Sequence, residues 1–385
     1  MNTVRVLFAG DFAPCRKFER LVLAKKEDVF NDALELIKAA DISFVNLECP
    51  LTTSQIAIKK SGPALKASPD AAKAIKSFSV AGLANNHIFD YGEEGLKDTL
   101  KACKNVGVKT VGAGLSLEEA QQIYVHESKG VKVAIIAIAE HEFNQSEDGG
   151  AGSAPIDLVD NFKQIEVAKK LADIIVVTIH GGNEYFPYPR PKLRKLCKHF
   201  IDLGVDAVVC HHPHVPGAYE AYSGKPIYYS IGNLLFDNSD PQDYWEQGYF
   251  VELTFDVEKK EFLGSEIHPY IQSASQGGVR LLAGADKRAF ISRIELYKEL
   301  LGSEDDYRKV WSDFIEENTN GYIMRAYNPL RFRGLGFLTR KFPYLIGFLF
   351  GKGKRDLDRL NLIRCQSHLE VLSDALKKRL GGYYK

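Results

Sequence analysis

The sequence contains no run of the roughly eighteen apolar residues that a membrane-spanning helix needs. Its six cysteines include no C-x-x-C pair, which argues against a disulfide scaffold or a zinc finger and fits a reducing compartment. Neither sign of charge is in surplus: Lys+Arg and Asp+Glu both number 50, so no global field draws the chain to nucleic acid. Internal repeats and low-complexity tracts are also missing. The opening residues, Val4-Arg5-Val6-Leu7-Phe8-Ala9, have neither the length nor the flanks of a secretory leader and read as a strand. The expectation is a cytoplasmic chain. What is present is ordinary for a globular protein, with 45% apolar and 26% charged residues. A chain of 385 residues can form one large domain with an appendage, or two domains.

Apolar runs alternate with helical patterns, so the class is α/β. Strands are expected at Val4–Ala9, Ile42–Leu47, Val80–Ala84, Val131–Ala139, Ile174–Ile179, Ala207–Cys210, Ile227–Ile231 and Phe250–Val257. Helices are expected around Val29–Ala40, near Asp70, and at Glu93–Val106, Leu158–Leu171 and Leu193–Leu203.

The informative regularity is where the ligand-type side chains fall. Asp11, Glu48, Asn86, His87, His180, His212 and His214 each follow a predicted strand closely. Residues from several strand ends converge only if those ends line one edge of a sheet, which is where open α/β sheets bind ligands. Carboxylate, amide oxygen and imidazole together suit Mn²⁺, Fe, Zn²⁺ or Mg²⁺. In His212-x-His214 the two rings share a face of an extended segment, so they can reach one ion or two adjacent ions. By the same alternation His211 should face the other way, as a packing or supporting residue. Cys49 and Cys210 should be buried structural thiols.

Seven stretches, taken in order, resemble the capsule-synthesis proteins of the CapA type, which are associated with poly-γ-glutamate capsules and other exopolysaccharides. They are Gly10-Asp11; Asn46-Leu47-Glu48-Cys49-Pro50-Leu51-Thr52; Leu65-Lys66-Ala67-Ser68-Pro69; Ala84-Asn85-Asn86-His87-Ile88-Phe89-Asp90-Tyr91-Gly92; His180-Gly181-Gly182-Asn183-Glu184-Tyr185; His212-Pro213-His214-Val215; and Tyr229-Ser230-Ile231-Gly232-Asn233-Leu234-Leu235-Phe236-Asp237. That family is similar in fold to calcineurin-like metallophosphoesterases. The resemblance implies a four-layer αββα sandwich and a divalent-metal site. Asp11 and His214 would bind one ion, Asn86, His180 and His212 a second, and Glu48 both. His87 would act as the catalytic acid or charge stabiliser. Asn46, Asn85, Asp90, Glu184, Tyr185 and Asn233 are expected on the substrate side, Asn233 also as a support for a ligand histidine, and Glu140, His141 and Glu142 are further candidates there. Where the wider superfamily has a histidine two residues after the first Asp, this chain has Ala13. The expectation is therefore one tight ion and one labile ion.

The resemblance ends near residue 257. We expect a core domain over residues 1–285 and a helical extension over 286–385, with helices at Asp305–Glu317 and Asp356–Leu380. Residues 330–355 mix Lys and Arg with many aromatics and hold no acid. They suit either an anionic membrane surface or an apolar hairpin on the core. The expected activity is metal-dependent hydrolysis of a phosphate ester, on a small molecule, a carrier lipid or a polymer. The alternative is a non-hydrolytic metal-binding factor that assembles polysaccharide-synthesis machinery.

Overall fold

A computed structural model describes residues 2–145, 150–238, 241, 243–326 and 354–379. It divides into two compact units, Met1–Ile58 with Ala64–Glu304, and Lys59–Pro63 with Asp305–Lys385.

Among the described residues the first unit holds sixteen strands. They are β1 (Thr3–Ala13), β2 (Ile42–Leu47), β3 (Val80–Gly82), β4 (Lys109–Val111), β5 (Ala113–Gly114), β6 (Tyr124–Ser128), β7 (Val131–Ala139), β8 (Gly152–Ser153), β9 (Ile174–His180), β10 (Ala207–His211), β11 (Tyr219–Tyr222), β12 (Lys225–Tyr228), β13 (Asn233–Phe236), β14 (Gln247–Asp256), β15 (Phe262–Ser273) and β16 (Gly278–Leu281). One sheet runs β16-β15-β14-β1-β2-β3-β4, with β13 added on β1; a second runs β11-β12-β10-β9-β7-β6; β5 and β8 form a small ribbon. β1 is parallel to β2 and β13 and antiparallel to β14.

The two sheets pack face to face. Val4, Val6, Phe8, Phe44 and Val80 of the first meet Val133, Ile135, Val176 and Val209 of the second in one core cluster. Each fully buried aliphatic or aromatic side chain there contributes about 1.5–3 kcal/mol. The outer face of the first sheet, through Leu7, Val45 and Ala81, carries Phe18, Val22, Ile37, Leu96 and Cys103 of the surrounding helices. The helices Leu158–Leu171 and Pro191–Asp202 lie against β7, β9, β10 and β12. This is the expected four-layer αββα sandwich. β9 is buried along its whole length, as a parallel strand covered on both faces must be.

The elements differ from the sequence reading where local chemistry intervenes. β3 stops at Gly82, freeing Leu83 and Ala84 to carry the chain out of the sheet. The helix expected at Val29–Ala40 is a 3₁₀ turn, Lys26–Phe30, followed by the helix Ala33–Ala39, because Asn31 between them has φ 43°. The segment after Ser68 is also 3₁₀, capped by Ser68 Oγ accepting from the Asp70 amide. β13 to β16 form a mostly antiparallel half of the first sheet, of which the sequence reading saw only β14.

The second unit contains the helices Lys354–Arg364 and Gln366–Arg379 and nearly all of Glu304–Ala326. Trp311 Nε1 donates to Asp374 Oδ2 at 3.0 Å, and Tyr322 OH lies 2.8 Å from His368 Nδ1. The helix expected over Asp356–Leu380 is thus two helices meeting at Cys365. Residues 330–353 of the basic-aromatic segment lie outside the described residues. No helix among the described residues is long and apolar enough to cross a membrane.

Candidate metal centre

The carboxyl ends of β1, β2, β3, β9 and β10 deliver their polar residues to one place. Asp11 sits near the end of β1, where its amide donates to Gly232 O at 3.1 Å. That approach needs glycine at position 10, since a Cβ there would lie 2.0 Å from Gly232 O. Glu48 follows β2 and is fully buried. His180 ends β9 and pairs across the sheet with His211, the last residue of β10.

Two donor groups form, and Glu48 belongs to both: Glu48–His180–His212 and Asp11–Glu48–His214. In the first, His180 Nε2 lies 3.0 Å from Asn86 Oδ1, 3.1 Å from His212 Nδ1 and 3.6 Å from Glu48 Oε1. In the second, His214 Nε2 lies 3.6 Å from Glu48 Oε1, and His214 Nδ1 lies 3.3 Å from Asp11 Oδ2. Ligands at about 2.1 Å from one cation sit about 3.0–3.4 Å from each other in octahedral or tetrahedral shells, so the spacings from His180 Nε2 to Asn86 Oδ1 and His212 Nδ1 are those of donors arranged around an ion. The protonation pattern agrees. Asn233 Nδ2 donates to His214 O and Trp245 O, so its Oδ1 must accept from His214 Nδ1, at 2.9 Å. His214 Nε2 then presents a lone pair toward a carboxylate oxygen, an arrangement that suits a cation. The residues fit a divalent metal.

His212 and His214 do not share one extended face. Their φ angles are 99° and 61°, sparsely populated for side chains of this size. The turn around Pro213 sends one ring to each group. It also breaks the alternation expected for His211: both rings reach the site, and His211 Nδ1 lies 3.2 Å from Asp11 Oδ1. The expectation that His211 faces away is thereby corrected.

Charge is set by burial and partners. Burial raises Asp11, but the His211 and His214 rings beside it outweigh that, leaving the carboxylate well below its usual range. Burial and then the adjacent His212 ring push His180 well below the ordinary imidazole value, so it offers a lone pair. Burial lowers His214, yet its bond to Asp11, with Glu184 and Asn233 adding to it, leaves it raised.

Three residues expected on the substrate side are buried behind the donors instead, and Asn233 takes the supporting place also expected of it. Asn46 Nδ2 donates to Asp11 Oδ1 at 2.8 Å and lies 3.4 Å from Glu48 Oε2 and 3.2 Å from His180 Nδ1. Asn85 Nδ2 donates to Leu47 O, and its Oδ1 accepts from the His87 amide. Asp90 Oδ2 sits 2.7 Å from His87 Nδ1 and also accepts from the Leu65 amide. Asn233 holds His214. All four are at most 2% exposed; strand-end position alone does not distinguish a residue facing the pocket from one packed beneath it. Glu184 and Tyr185 are exposed, and Tyr185 lines a hollow of about 250 Å³ with Pro187, Val215, Pro216 and Tyr244.

Of the further candidates, Glu142 accepts from Asn86 Nδ2 at 3.2 Å, which turns the amide oxygen of Asn86 toward His180. Glu140 is buried in an ion pair with Arg190, 2.7 Å to Nη2, and also accepts from the Gly182 amide. Sequence reasoning missed Arg190; a lone cation between Pro189 and Pro191 was the available signal. Ala13 is buried in the apolar cluster that includes Phe12, Cys15 and Cys49. All six cysteines are buried, as expected for Cys49 and Cys210.

The chain can now be set beside known proteins. It is 34% identical over 238 residues to the PGA biosynthesis protein CapA of Bacillus subtilis (strain 168), which covers 60% of this chain and 62% of that one. It is 38% identical over 183 residues to the capsule biosynthesis protein CapA of Bacillus anthracis, 45% and 44% of the two chains. It thus spans less than two thirds of the length of these curated relatives. Among solved structures, a novel phosphatase of Mycoplasma pneumoniae is similar over 70% of this chain and 94% of that one, at 15% identity and a TM-score of 0.45. A family model described as bacterial capsule synthesis protein PGA_cap matches residues 5–238, more than half of the sequence, and the chain belongs to that family.

Proposed function

We propose that the chain is a metal-dependent phosphoesterase-like hydrolase serving capsule or exopolysaccharide production, as the names of its relatives suggest. The observation that carries this reading is the pair of donor groups sharing Glu48. Glu48, Asn86, His180 and His212 would hold one divalent ion (Mn, Zn, Fe or Mg) tightly; Asp11, Glu48 and His214 would hold a second, labile one. Such ions supply Lewis acidity and neutralise charge on a phosphoryl group in flight.

The chain's own residues then have distinct tasks. His87 would hand a proton to the leaving oxygen. Asp90 fixes Nδ1, so Nε2 is the nitrogen that would do so. Asn85 holds the loop that carries His87, and Asn46 and Glu142 orient the donors. Glu184 and Tyr185 would meet the substrate: a phosphorylated small molecule, a carrier lipid or a polymer. The core assigned to residues 1–285 would carry the chemistry. The extension over 286–385 would meet synthesis machinery or the inner face of a membrane.

The test is turnover of an aryl phosphate diester by the full chain with Mn²⁺. His87→Ala should lower kcat by about 10²–10⁴-fold while leaving metal content intact. Unchanged turnover in that variant removes His87 from the chemistry. One observation favours a second reading, a non-hydrolytic assembly factor: Ala13 is packed in the apolar cluster, so the Asp11 group has few donors. That reading predicts full metal binding with no turnover in the unaltered chain.

A further inference from the structure

His211 has no part in either donor group, yet it is among the most thoroughly enclosed polar residues of the site. The residue is 2% exposed, and among the described residues neither ring nitrogen has a hydrogen-bond partner of acceptable geometry. Burying a polar group in that state carries the full desolvation cost with no bond to offset it. One face of the ring meets Phe44, with centroids 5.8 Å apart, and Phe44 belongs to the apolar core between the sheets. The strand register explains the placement. Ala207 and Val209 of β10 point into the same core, and His211 continues their row. It is the first residue of that row to reach the polar edge, where Nδ1 comes to 3.2 Å from Asp11 Oδ1, off the N–H axis.

We propose that His211 is a positioning residue for Asp11, donating from Nδ1 to Oδ1 and thereby setting how tightly the Asp11–Glu48–His214 group retains its ion. The inference rests on the two-ion reading of the site but not on hydrolysis. Asp11 is otherwise held by Asn46 Nδ2 on Oδ1 and by the His212 amide on Oδ2 at 3.2 Å. A third donor, from the facing sheet, restricts the rotation those two leave. Ala13 is packed in the apolar cluster and supplies nothing to Asp11; His211 supports the carboxylate from the opposite sheet.

The experiment uses the full chain and two variants. His211→Phe keeps a flat ring in the core and removes the donor; His211→Asn keeps a donor at the position of Nδ1. Mn²⁺ binding is followed by calorimetry and by electron paramagnetic resonance. The Phe variant should lose affinity for the weaker ion by about 10–100-fold, the range for partners that orient a ligand, with the tighter ion and the melting temperature little changed. The Asn variant should stay within about threefold of the parent for the weaker ion. Parent-like binding in the Phe variant overturns the proposal, since ring packing alone would then suffice, and so does equal loss in both variants, since restoring the donor would then restore nothing. A second readout is independent of metal. In metal-free protein labelled with ¹⁵N-histidine, the His211 proton should reside on Nδ1. A proton on Nε2 overturns the assignment, whether or not the chain turns over any ester.

Discussion

The two donor groups share Glu48 but are built differently. The His180–His212 group gathers four donors, three of them buttressed from behind: Glu142 turns Asn86, and Asn46 lies against both His180 and Glu48. The Asp11–His214 group has three: Asn46 and the His212 amide hold Asp11, and Asn233 holds His214; positive φ occurs in both groups, at His212 and His214, so donor number is what separates them. Donor number and support set retention of a cation. On the two-ion reading, that difference would let one shared carboxylate serve a firmly held ion and a replaceable one.

The change that should abolish the distinction is Glu48→Gln, because it weakens both groups together. Both ions should be lost on dialysis, and any turnover should fall by roughly 10³-fold or more, as read by elemental analysis and phosphatase assay. Retention of either ion would show that Glu48 is not shared. Next in size, His180→Ala should weaken the tighter ion by on the order of 10²-fold, whereas Asp11→Ala should remove only the weaker one; calorimetric titration separates the two. Glu142→Gln should cost about tenfold in the tighter ion alone, since it releases the Asn86 amide without removing a ligand. The smallest effect is on pH. His214 is raised and His180 is lowered, so protons compete for His214 at higher pH. Acidifying from about pH 8 to about pH 6 should therefore empty the Asp11 group first, leaving the other occupied. Simultaneous loss of both ions would contradict the asymmetry.

Much of this centre was legible before any coordinates. Asp11, Glu48, Asn86, His180, His212 and His214 announced themselves because each follows an apolar run, and strand ends on one sheet edge converge whatever the loop details. Their depth was not legible. Asn46 and Glu48 are two residues apart, yet one supports and the other belongs to both donor groups; that depends on the neighbouring strand, which local sequence does not encode. His211 takes the packing or supporting role expected of it, against Phe44 and beside Asp11; what alternation missed is the left-handed backbone at His212, which brings the next ring to the same edge. In the fold, the parallel strands were visible as apolar runs. β15 and β16 were not, although each pairs antiparallel with the strand just before it, since their partly exposed faces dilute the apolar signal.

β13 lies against β1, so Asp11 pairs with Asn233, more than two hundred positions along the chain. Contacts of such sequence separation form late, because the loop entropy must be met first. During synthesis, a ribosome that has released the first two hundred residues has displayed Asp11, Glu48 and His180 without the strand that braces them or the asparagine that aligns His214. Acquisition of cation should therefore lag behind collapse of the core, and a nascent chain would pass through a compact stage that has not yet gained its ions.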